Sequence, residues 1–565
     1  MTKSQLTFEA PGPGTWELET AHHTRPMTKL GRDAMIPNFD RGFQEAMADY
    51  GSLLVGLESE AVNGFRYTRM RVVGAPEKGG GPPPKWVMKL MVWLHPELRR
   101  RRKAADRSLE DRRWRTDMDR WETEVKPRSI ARHQALLDAD VESVSDDVLL
   151  DHIEECVEHW KEMGWQHAYF SIAAMLPAGD FMLSVSEWTD RTVPDLLPIF
   201  QGLSPQSAGW VPEADPMVAA IKGSESAKAL LDSVRPAAEV LAELRAHPEV
   251  GDAVEQYLRV VGYRIIGYDI GDNYALETPQ ILLSSMRGLM TREQGDAIAI
   301  GVARAAEIRA EVASEHHATY DDALADARRN YPLRDERGLY SDSWVAGILR
   351  RAMLEAGRRL KEKGVVAEVA DAVEADVEEL RRAFVGGDEA LALGRELDKR
   401  RAYRFSLTTD DAPTVLGPEP LPPPSLDMIP AGSLRRGMAA FGSLMGEVMT
   451  PTTDTEAGQK VVEGRGAGTG VYEGPARIIA GSNEFDRLQK GDVLITRATS
   501  PTFNVVLGHV GAIVTDHGGI LSHAAIVARE FGLPAVVACG DSTTVIPDGA
   551  RVRVDAAAGE VTVLG

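Results

Sequence analysis

The spacing of hydrophobic positions divides the chain into a long stretch with helical periodicity and a short C-terminal stretch with strand periodicity. From about 96 to 410, apolar side chains recur every three or four residues, which is typical of amphipathic helices. Residues 145–167 show this spacing most clearly, and residues 40–60 also follow it. Residues 1–30 are rich in Pro and Gly. The pattern predicts an extended lead-in followed by a mainly α-helical region.

The C-terminal stretch follows a different pattern, in which short Val- and Ile-rich runs alternate with Gly-containing turns. Such runs between turn residues are typical of β-strands. They predict a small, compact, β-rich α/β domain. The predicted strands are Ala476–Ile479, Val493–Thr496, Ala512–Thr515, Ala535–Ala538, Arg551–Val554 and Glu560–Leu564.

Prolines separate these two regions. Seven of the residues from Pro413 to Pro430 are proline, and such a stretch behaves as a semi-rigid, extended spacer rather than a helix. The polar stretch from Thr450 to Gly468 predicts a flexible link. The chain is therefore predicted to be multidomain, with a large mainly α domain at 1–410, a Pro-rich and polar linker at 411–464 and a small α/β domain at 465–565.

Composition narrows the class of function. The 565 residues include 64 Lys and Arg against 85 Asp and Glu, and the net charge of -21 argues against general binding to nucleic acid or to an anionic membrane. The only cysteines, Cys156 and Cys539, exclude a disulfide framework and fit a reducing cytosol. We find no apolar run typical of a signal peptide or of a membrane-spanning helix. These features predict a cytoplasmic protein.

The strongest chemical signal surrounds His523. The predicted strand at 512–515 leads into Gly518 and Gly519, and a helix is predicted to begin at Ser522, a favourable N-cap residue. His523 would then lie in the first helical turn, where unpaired backbone N–H groups and the helix dipole favour a phosphate group. The two glycines let the backbone approach a ligand closely. A histidine so placed could accept and pass on a phosphoryl group, or it could simply cap and pack at the helix start.

The sequence around His523 resembles a known family. Residues 518–537, which begin Gly-Gly-Ile-Leu-Ser-His-Ala-Ala-Ile-Val-Ala-Arg-Glu, are similar to the swivelling phosphohistidine domain of phosphoenolpyruvate (PEP) synthase, pyruvate phosphate dikinase and rifampin phosphotransferase. The resemblance covers about 465–565 and implies that His523 is the phosphorylated residue. Three flanking segments resemble further elements of that domain, namely 466–476, 491–495 and 548–555.

The helical region resembles the substrate-binding middle domain of rifampin phosphotransferase, and the chain is also similar to the large subunit of phenylphosphate synthase. This likeness implies that 1–410 binds the substrate and that 411–464 is the swivel linker. It also makes Asp269 and Glu277 candidate polar residues of the substrate domain. The segments that carry the likeness are Gly14–Leu18 with His22, Arg25–Met27, Gly262–Arg264 with Asp269, and Glu277–Pro279.

Two residues are candidates for the transfer chemistry itself. Phosphoryl oxygens need a nearby cation, and Arg264 could supply it, although a structural ion pair with Asp269 or Glu277 explains this arginine equally well. A phenol hydroxyl has a pKa of about 10, so a base would assist its attack. His22 could be that base, and an ordinary surface or capping histidine is the alternative.

The resemblance also implies a phosphoryl donor and an acceptor. Enzymes of this family carry an ATP-grasp domain, but the sequence contains neither a phosphate-cradling glycine loop leading into a helix nor a Walker-type motif, and it ends at Gly565 directly after the phosphohistidine domain. We therefore expect a separate ATP-grasp subunit to bind ATP and Mg²⁺, to phosphorylate His523 and to release AMP and phosphate.

The expected acceptor is a small phenolic compound of the phenol or hydroxyacetophenone type. The alternatives are another hydroxyl acceptor, such as an antibiotic, and a non-catalytic phosphocarrier or regulatory protein.

One further cluster could bind a metal. His152, Cys156 and His159 lie at i, i+4 and i+7 of a predicted helix, a spacing that zinc ligands can have. No fourth ligand is evident nearby, and Cys156 falls on the apolar face. We therefore predict no metal site in this chain.

Overall fold

The structure is a computed structural model that describes residues 6–20, 22–74, 84–208, 210–291, 295–420, 425–448, 460–499, 503, 506–520 and 522–564. The chain forms two compact units, and the helical region predicted as one domain contributes to both. Unit 1 consists of Met1–Leu176, Tyr263–Tyr274 and Glu336–Ala439. Unit 2 consists of Pro177–Gly262, Ala275–Asp335 and Ala440–Gly565.

Helices make up most of the described chain, as the periodicity predicts. In the helix that begins at Asp146, the apolar face of Leu149, Ile153 and Trp160 is fully buried. The helices are α1 (Ile36–Asp49), α2 (Lys85–Leu94), α3 (Pro96–Glu110), α4 (Arg113–Arg120), α5 (Lys126–Leu137), α6 (Asp146–Tyr169), α7 (Ser171–Trp188), α8 (Val193–Leu196), α9 (Ala214–Gly223), α10 (Glu225–Leu231), α11 (Ala237–Ala246), α12 (Gly251–Val261), α13 (Pro279–Thr291), α14 (Gly295–Glu311), α15 (His317–Asn330), α16 (Leu333–Tyr340), α17 (Asp342–Glu362), α18 (Val377–Val385), α19 (Gly387–Ser406), α20 (Ser433–Val448), α21 (His523–Phe531) and α22 (Ser542–Val545).

Unit 1 also contains an antiparallel sheet that the hydrophobic pattern does not predict. Its strands lie in the spatial order β2-β3-β1-β4. Trp16 of the first strand is buried in a cluster with Phe65 and Tyr67, so part of the expected extended lead-in belongs to the core of unit 1. The strands are β1 (Trp16–Leu18), β2 (Leu54–Val62), β3 (Phe65–Val72) and β4 (Val415–Leu416).

The helix predicted over 40–60 is interrupted at Gly51. α1 ends at Asp49 and β2 begins at Leu54. Gly51 has a φ of +76°, and a Cβ atom here would lie 2.2 Å from the backbone nitrogen of Ala105, so the turn accepts only glycine. The prediction of a helix up to residue 60 is wrong because a tight turn and a strand follow this glycine.

Unit 2 contains a mixed sheet in the order β5-β12-β11-β7-β8-β9-β10-β6. All six predicted C-terminal strands are present, and the α/β character of this region is confirmed. Five of them agree with the prediction to within one residue at each end, whereas the strand predicted over 476–479 begins five residues earlier, at Val471. The strands are β5 (Val461–Glu463), β6 (Arg465–Ala467), β7 (Val471–Ile478), β8 (Val493–Thr496), β9 (Ala512–Thr515), β10 (Ala535–Val537), β11 (Arg551–Asp555) and β12 (Glu560–Val563).

The centre of this sheet is parallel, and three of its strands are fully buried. β7, β8, β9 and β10 pair in parallel, and every residue of β8 and β9 is buried. Continuous apolar runs are typical of parallel strands that are covered on both faces. α21 connects β9 to β10, and ligands of open α/β sheets bind at the carboxyl ends of the strands. The segments that follow β8 and β9 are therefore where a site is expected.

The predicted linker at 411–464 contains folded elements rather than a uniformly extended chain. β4 pairs with β1, α20 is a helix, and β5 joins the sheet of unit 2. Met428 and Ile429 are buried, and Ile429 packs with Leu53. Residues 421–424 and 449–459 of this stretch lie outside the described residues. The swivelling motion stays a prediction.

One stretch, Asp146–Trp188, is apolar enough over an 18-residue window to pass the length and hydropathy test for a membrane-spanning helix, with a mean hydropathy of 1.4. The sequence pattern predicts no stretch of this kind, so that prediction is wrong for Asp146–Trp188. The window is 83% buried inside the protein, and α6 and α7 meet within it. Packing against other parts of the protein therefore accounts for its apolar character.

Candidate functional site

His523 occupies the first position of α21, as the sequence predicts. The Ser522 side chain caps the helix by accepting a hydrogen bond of 3.4 Å from the Ala525 N–H, and the helix ends at Gly532 in the left-handed conformation. Gly518 has a φ of +96°, and a Cβ atom there would lie 2.6 Å from the Ser522 Cβ. Glycine is thus required where the loop passes the helix start.

Thr499 holds the imidazole of His523. Its Oγ1 lies 2.9 Å from Nδ1 of the ring. The other ring nitrogen, Nε2, is buried and has no hydrogen-bond partner among the residues that the structure describes. When Nδ1–H donates to the Thr499 hydroxyl, Nε2 carries the lone pair. The geometry therefore orients one ring nitrogen and leaves the other available for chemistry.

The surroundings of His523 keep the ring neutral. Burial lowers the pKa of His523 to about 4. The negative charge of Asp335 opposes this shift, and the positive charge of Arg334 adds to it. Because only the neutral imidazole has a lone pair, His523 is able to act as a nucleophile at neutral pH.

Helix α21 packs against other segments of unit 2. The Gln201 side-chain amide donates to the backbone carbonyl of Arg529 at 3.1 Å, and the Gly202 N–H donates to the Glu530 carboxylate at 2.9 Å. The Arg529 guanidinium donates to the carbonyl of Ile520 at 2.7 Å. These bonds fix the start and the end of α21, so they hold His523 in one place.

Thr499, Arg334 and Asp335 are the residues near His523 that sequence reasoning missed. Thr499 follows β8, and the parallel pairing of β8 with β9 brings it to the segment that precedes α21. Arg334 and Asp335 belong to α16. No local motif marks these three residues, because their proximity to His523 is set by tertiary structure.

Unit 1 contains the predicted candidate His22. Its Nδ1 lies 2.8 Å from Oε1 of Glu19, and its side chain is 48% exposed. The same carboxylate accepts hydrogen bonds from the backbone N–H groups of His22 and His23. Burial raises the pKa of Glu19, but His22, His23 and Arg66 outweigh this effect and hold the pKa well below its usual range. His22 is thus an exposed imidazole fixed by an ionised carboxylate.

The other predicted substrate-domain residues have different surroundings. Asp269 is buried in unit 1, where its carboxylate accepts hydrogen bonds from the N–H and hydroxyl of Thr28 and from the N–H of Gly271, at 2.7–3.1 Å. These bonds tie two backbone segments together. Glu277 is half-buried in a short turn of unit 2.

Arg264 faces two aromatic rings of unit 1. Its guanidinium carbon lies 5.7 Å from the ring centre of Tyr340 and 5.9 Å from that of Trp344. Such contacts are typical of cation–π interactions. Its role beside a phosphoryl group stays a prediction.

His152, Cys156 and His159 lie along one helix, α6. Within the described parts of the chain, no three His, Cys, Asp or Glu side chains lie close enough together to hold a metal ion. The Cys156 Sγ lies 3.5 Å from His152 Nε2, and burial raises the pKa of the thiol to about 12.

Comparison with known proteins agrees with the geometry around His523. Residues 488–559 match the family described as "PEP-utilising enzyme, mobile domain". The resemblance to PEP-utilising enzymes is confirmed. The matched residues contain β8, β9, α21 and β10, so this mobile domain supplies both Thr499 and His523.

Three relatives show how far the similarity extends. Phosphoenolpyruvate synthase of Escherichia coli is 43% identical over 115 residues, which cover 20% of this chain and 14% of that protein. The uncharacterized phosphotransferase YvkC of Bacillus subtilis is 31% identical over 232 residues, 41% of this chain and 26% of that protein. Rifampicin phosphotransferase of Streptomyces sviceus is 29% identical over 345 residues, 57% of this chain and 36% of that protein. The last match extends well beyond the mobile domain, and the chain spans less than half the length of each relative.

Proposed function

We propose that the protein is a phosphotransferase in which His523 carries the phosphoryl group on Nε2. The observation that supports this most directly is the state of the ring: it is neutral, Nδ1 is held by Thr499, and Nε2 has no partner among the described residues. Its place at the N-terminus of α21 favours a bound phosphoryl group through backbone N–H groups and the helix dipole. The relatives named phosphotransferase and phosphoenolpyruvate synthase support the same chemistry.

The donor step forms one bond and breaks one bond. The Nε2 lone pair of His523 attacks a phosphoryl group, and the leaving group departs with the electrons of its bond to phosphorus. Because the proton stays on Nδ1, which donates to the Thr499 hydroxyl, the ring later leaves the phosphoryl group as neutral imidazole. Such transfers depend on positioning and electrostatic stabilisation. Arg334 is positively charged and acts on the His523 ring, so it is placed to stabilise the negative charge of a transferred phosphoryl group.

We further propose that ATP is bound with Mg²⁺ by a separate ATP-grasp subunit. The β-phosphoryl group of ATP moves to His523, AMP leaves, and one water molecule takes the γ-phosphoryl group, which is released as phosphate. His523 then passes the phosphoryl group to the hydroxyl of a small phenolic compound in the cytoplasm. Arg264 and His22 are the sequence candidates for the cation and the base.

The donor is tested by incubating the full chain with radiolabelled ATP, with and without an ATP-grasp protein. We expect an acid-labile, base-stable label on His523 only when both proteins are present. Labelling by ATP alone would contradict the separate subunit.

The acceptor is tested next. Phenol, hydroxyacetophenone and rifampin are added to the charged protein, and each phosphorylated product is measured. Production of aryl phosphate supports the phenolic acceptor, transfer to the antibiotic supports the second candidate, and no product from any acceptor supports a phosphocarrier.

A second prediction concerns Thr499. Thr499→Val keeps the shape of the side chain but removes the hydroxyl that holds Nδ1 of His523. We expect phosphorylation of His523 to slow by about 10- to 100-fold, because the ring loses its fixed orientation and tautomer. The rate is measured with phosphoramidate, a small-molecule phosphoryl donor to histidine, so that no partner is needed. Thr543→Val, in the same sheet domain, is the comparison variant, and equal rates in both variants would show that the Thr499 hydroxyl has no such role.

A further inference from the structure

Unit 1 contains a second histidine that is held by a carboxylate. His167 Nδ1 lies 2.7 Å from Oδ1 of Asp342, as His22 Nδ1 lies 2.8 Å from Glu19. When Nδ1–H donates to the carboxylate, Nε2 carries the lone pair and points away from the pair. Carboxylate–imidazole pairs of this kind orient the base in enzymes that activate hydroxyl groups.

The two pairs are linked by direct contacts. The ring of Phe39 packs edge-on against the ring of His167, with 5.5 Å between their centres. The guanidinium of Arg66 lies 5.5 Å from the centre of the same Phe39 ring. The Arg66 carbonyl accepts a hydrogen bond of 2.9 Å from the N–H of Glu19. The two pairs therefore lie on one continuous part of unit 1.

Aromatic rings lie beside both imidazoles. The Tyr268 ring packs edge-on against His22 with 4.6 Å between centres, much as Phe39 packs against His167. The rings of Phe39 and Tyr268 are both half-buried, so part of each remains accessible. A flat aromatic molecule bearing a hydroxyl group suits such rings, because they offer apolar contact beside hydrogen-bond acceptors.

The surroundings distinguish the two histidines. The His167 side chain is 16% exposed and that of its partner Asp342 is 7% exposed, whereas His22 is about half-exposed. Burial lowers the pKa of His167, and the charges of Arg337 and His22 lower it further, against the opposing effect of Asp342. His167 is therefore neutral at physiological pH and lies where water screens electrostatic interactions less.

We propose that this surface, formed by His22, Phe39, His167 and Tyr268, is the acceptor site and that His167 is its general base. Asp342 is the positioning residue of His167. His22, the base that the sequence suggests, is more exposed and instead binds the acceptor, with Glu19 as its own positioning residue. The inference rests on the proposed function, and it names the place and the base of the second transfer.

Transfer to the acceptor forms one bond to phosphorus and breaks one. The proton of the acceptor hydroxyl moves to Nε2 of His167, and the hydroxyl oxygen forms a bond to phosphorus. The bond between phosphorus and Nε2 of His523 breaks, and its electron pair stays on that ring nitrogen. The products are an aryl phosphate, neutral His523 and a protonated His167, which then loses its proton to water.

The test separates this step from phosphorylation of His523. The full chain is charged with phosphoramidate, the excess is removed, and transfer to phenol is followed in the wild type, His167→Asn and Asp342→Asn. We expect both variants to be charged normally and to transfer about 100-fold more slowly, with the loss in kcat. In Asp342→Asn, the amide can donate to Nδ1 and force the ring proton onto Nε2, which removes the lone pair. His152→Asn, on the same helix α6, is the matched control and should transfer at the wild-type rate.

Acceptor acidity distinguishes a base from a structural residue. 4-Nitrophenol is already largely ionised near neutral pH, so it needs no base, and we expect it to be phosphorylated by His167→Asn at close to the wild-type rate. For His22→Asn and Glu19→Gln, we expect KM for phenol to rise about tenfold with little change in kcat.

The outcomes bear on different claims. If His523 of the wild type is not charged, or the charged protein yields no aryl phosphate, the proposed function itself fails. If the charged His167→Asn and Asp342→Asn variants transfer to phenol at the wild-type rate, or lose transfer to both phenols equally, the assignment of His167 as the base is overturned. Unchanged kinetics in His22→Asn and Glu19→Gln would remove that pair from the acceptor site.

Discussion

His523→Asn should abolish phosphorylation of the protein. Asparagine keeps a polar side chain at the start of α21, but it has no lone-pair nitrogen able to form a bond to phosphorus. We expect the phosphoryl group taken from phosphoramidate, or from ATP in the presence of an ATP-grasp protein, to fall to background when measured by intact mass at neutral pH. His517→Asn is the matched control because His517 is an exposed histidine in the same loop. A phosphorylated His523→Asn protein, or an unlabelled His517→Asn protein, would place the phosphoryl group elsewhere.

The same variant tests the electrostatics of the site. Burial lowers the pKa of His523 to about 4 in the folded protein, from 6.5 for an ordinary histidine. Between these two values the unfolded chain binds a proton that the folded chain does not bind, so the folded state loses stability as the pH falls through this window. Asparagine does not titrate. The wild type should therefore lose stability relative to His523→Asn between about pH 6.5 and pH 4, as measured by urea midpoints.

The parts of the mobile domain that local sequence determines were predictable. β8 and β9 are uninterrupted apolar runs because both faces of the sheet are covered, and their predicted ends agree with the structure. The limits of α21 follow from a serine cap and a glycine in the left-handed conformation, which are properties of single residues. His523 could be placed at a helix start for the same reason.

The partners of His523 could not be predicted in this way. Thr499 reaches the imidazole only because β8 and β9 pair in parallel at one register. Arg334 acts on the ring from α16, which is distant in sequence. Such neighbours depend on long-range packing, which periodicity and capping residues do not encode.

Unit 1 shows a second limit of prediction from the sequence. The short strand β1 carries Trp16 in a segment whose Pro and Gly content predicts an extended chain, and its pairing partners β3 and β4 lie far along the sequence. Glu19 and His22 are only three residues apart, so their spacing is visible in the sequence. The turn that brings their side chains together is not visible in the sequence, because it depends on the hydrogen bonds that the Glu19 carboxylate accepts from the backbone N–H of His22.

A buried ion pair holds together the part of unit 1 that contains Asp269. Arg404 Nε lies 2.8 Å from Oε1 of Glu374, and both side chains are only 4% exposed. The Arg404 guanidinium also donates to the carbonyl of Gly271 at 3.2 Å, and its charge acts on Asp269 and Asp272. Burial raises the pKa of Glu374 and of Asp272, and Arg404 opposes that shift in both. One arginine thus compensates several buried carboxylates.

Arg404→Met should destabilise unit 1 by about 3–5 kcal/mol, because it leaves Glu374 and its neighbours as buried charges without their cation. The double variant Arg404→Met/Glu374→Met should be more stable than Arg404→Met alone, since the second change removes one of those charges. Arg395→Met, an exposed position on the same helix α19, should change stability by no more than about 0.5 kcal/mol. Urea unfolding followed by tryptophan fluorescence measures all three. Additive losses in the double variant would show that the two side chains do not depend on one another.

The loss of stability in Arg404→Met should also shrink as the pH falls toward 5. Carboxyl groups with raised pKa values take up protons in this range, and once neutral they no longer need the charge of the arginine.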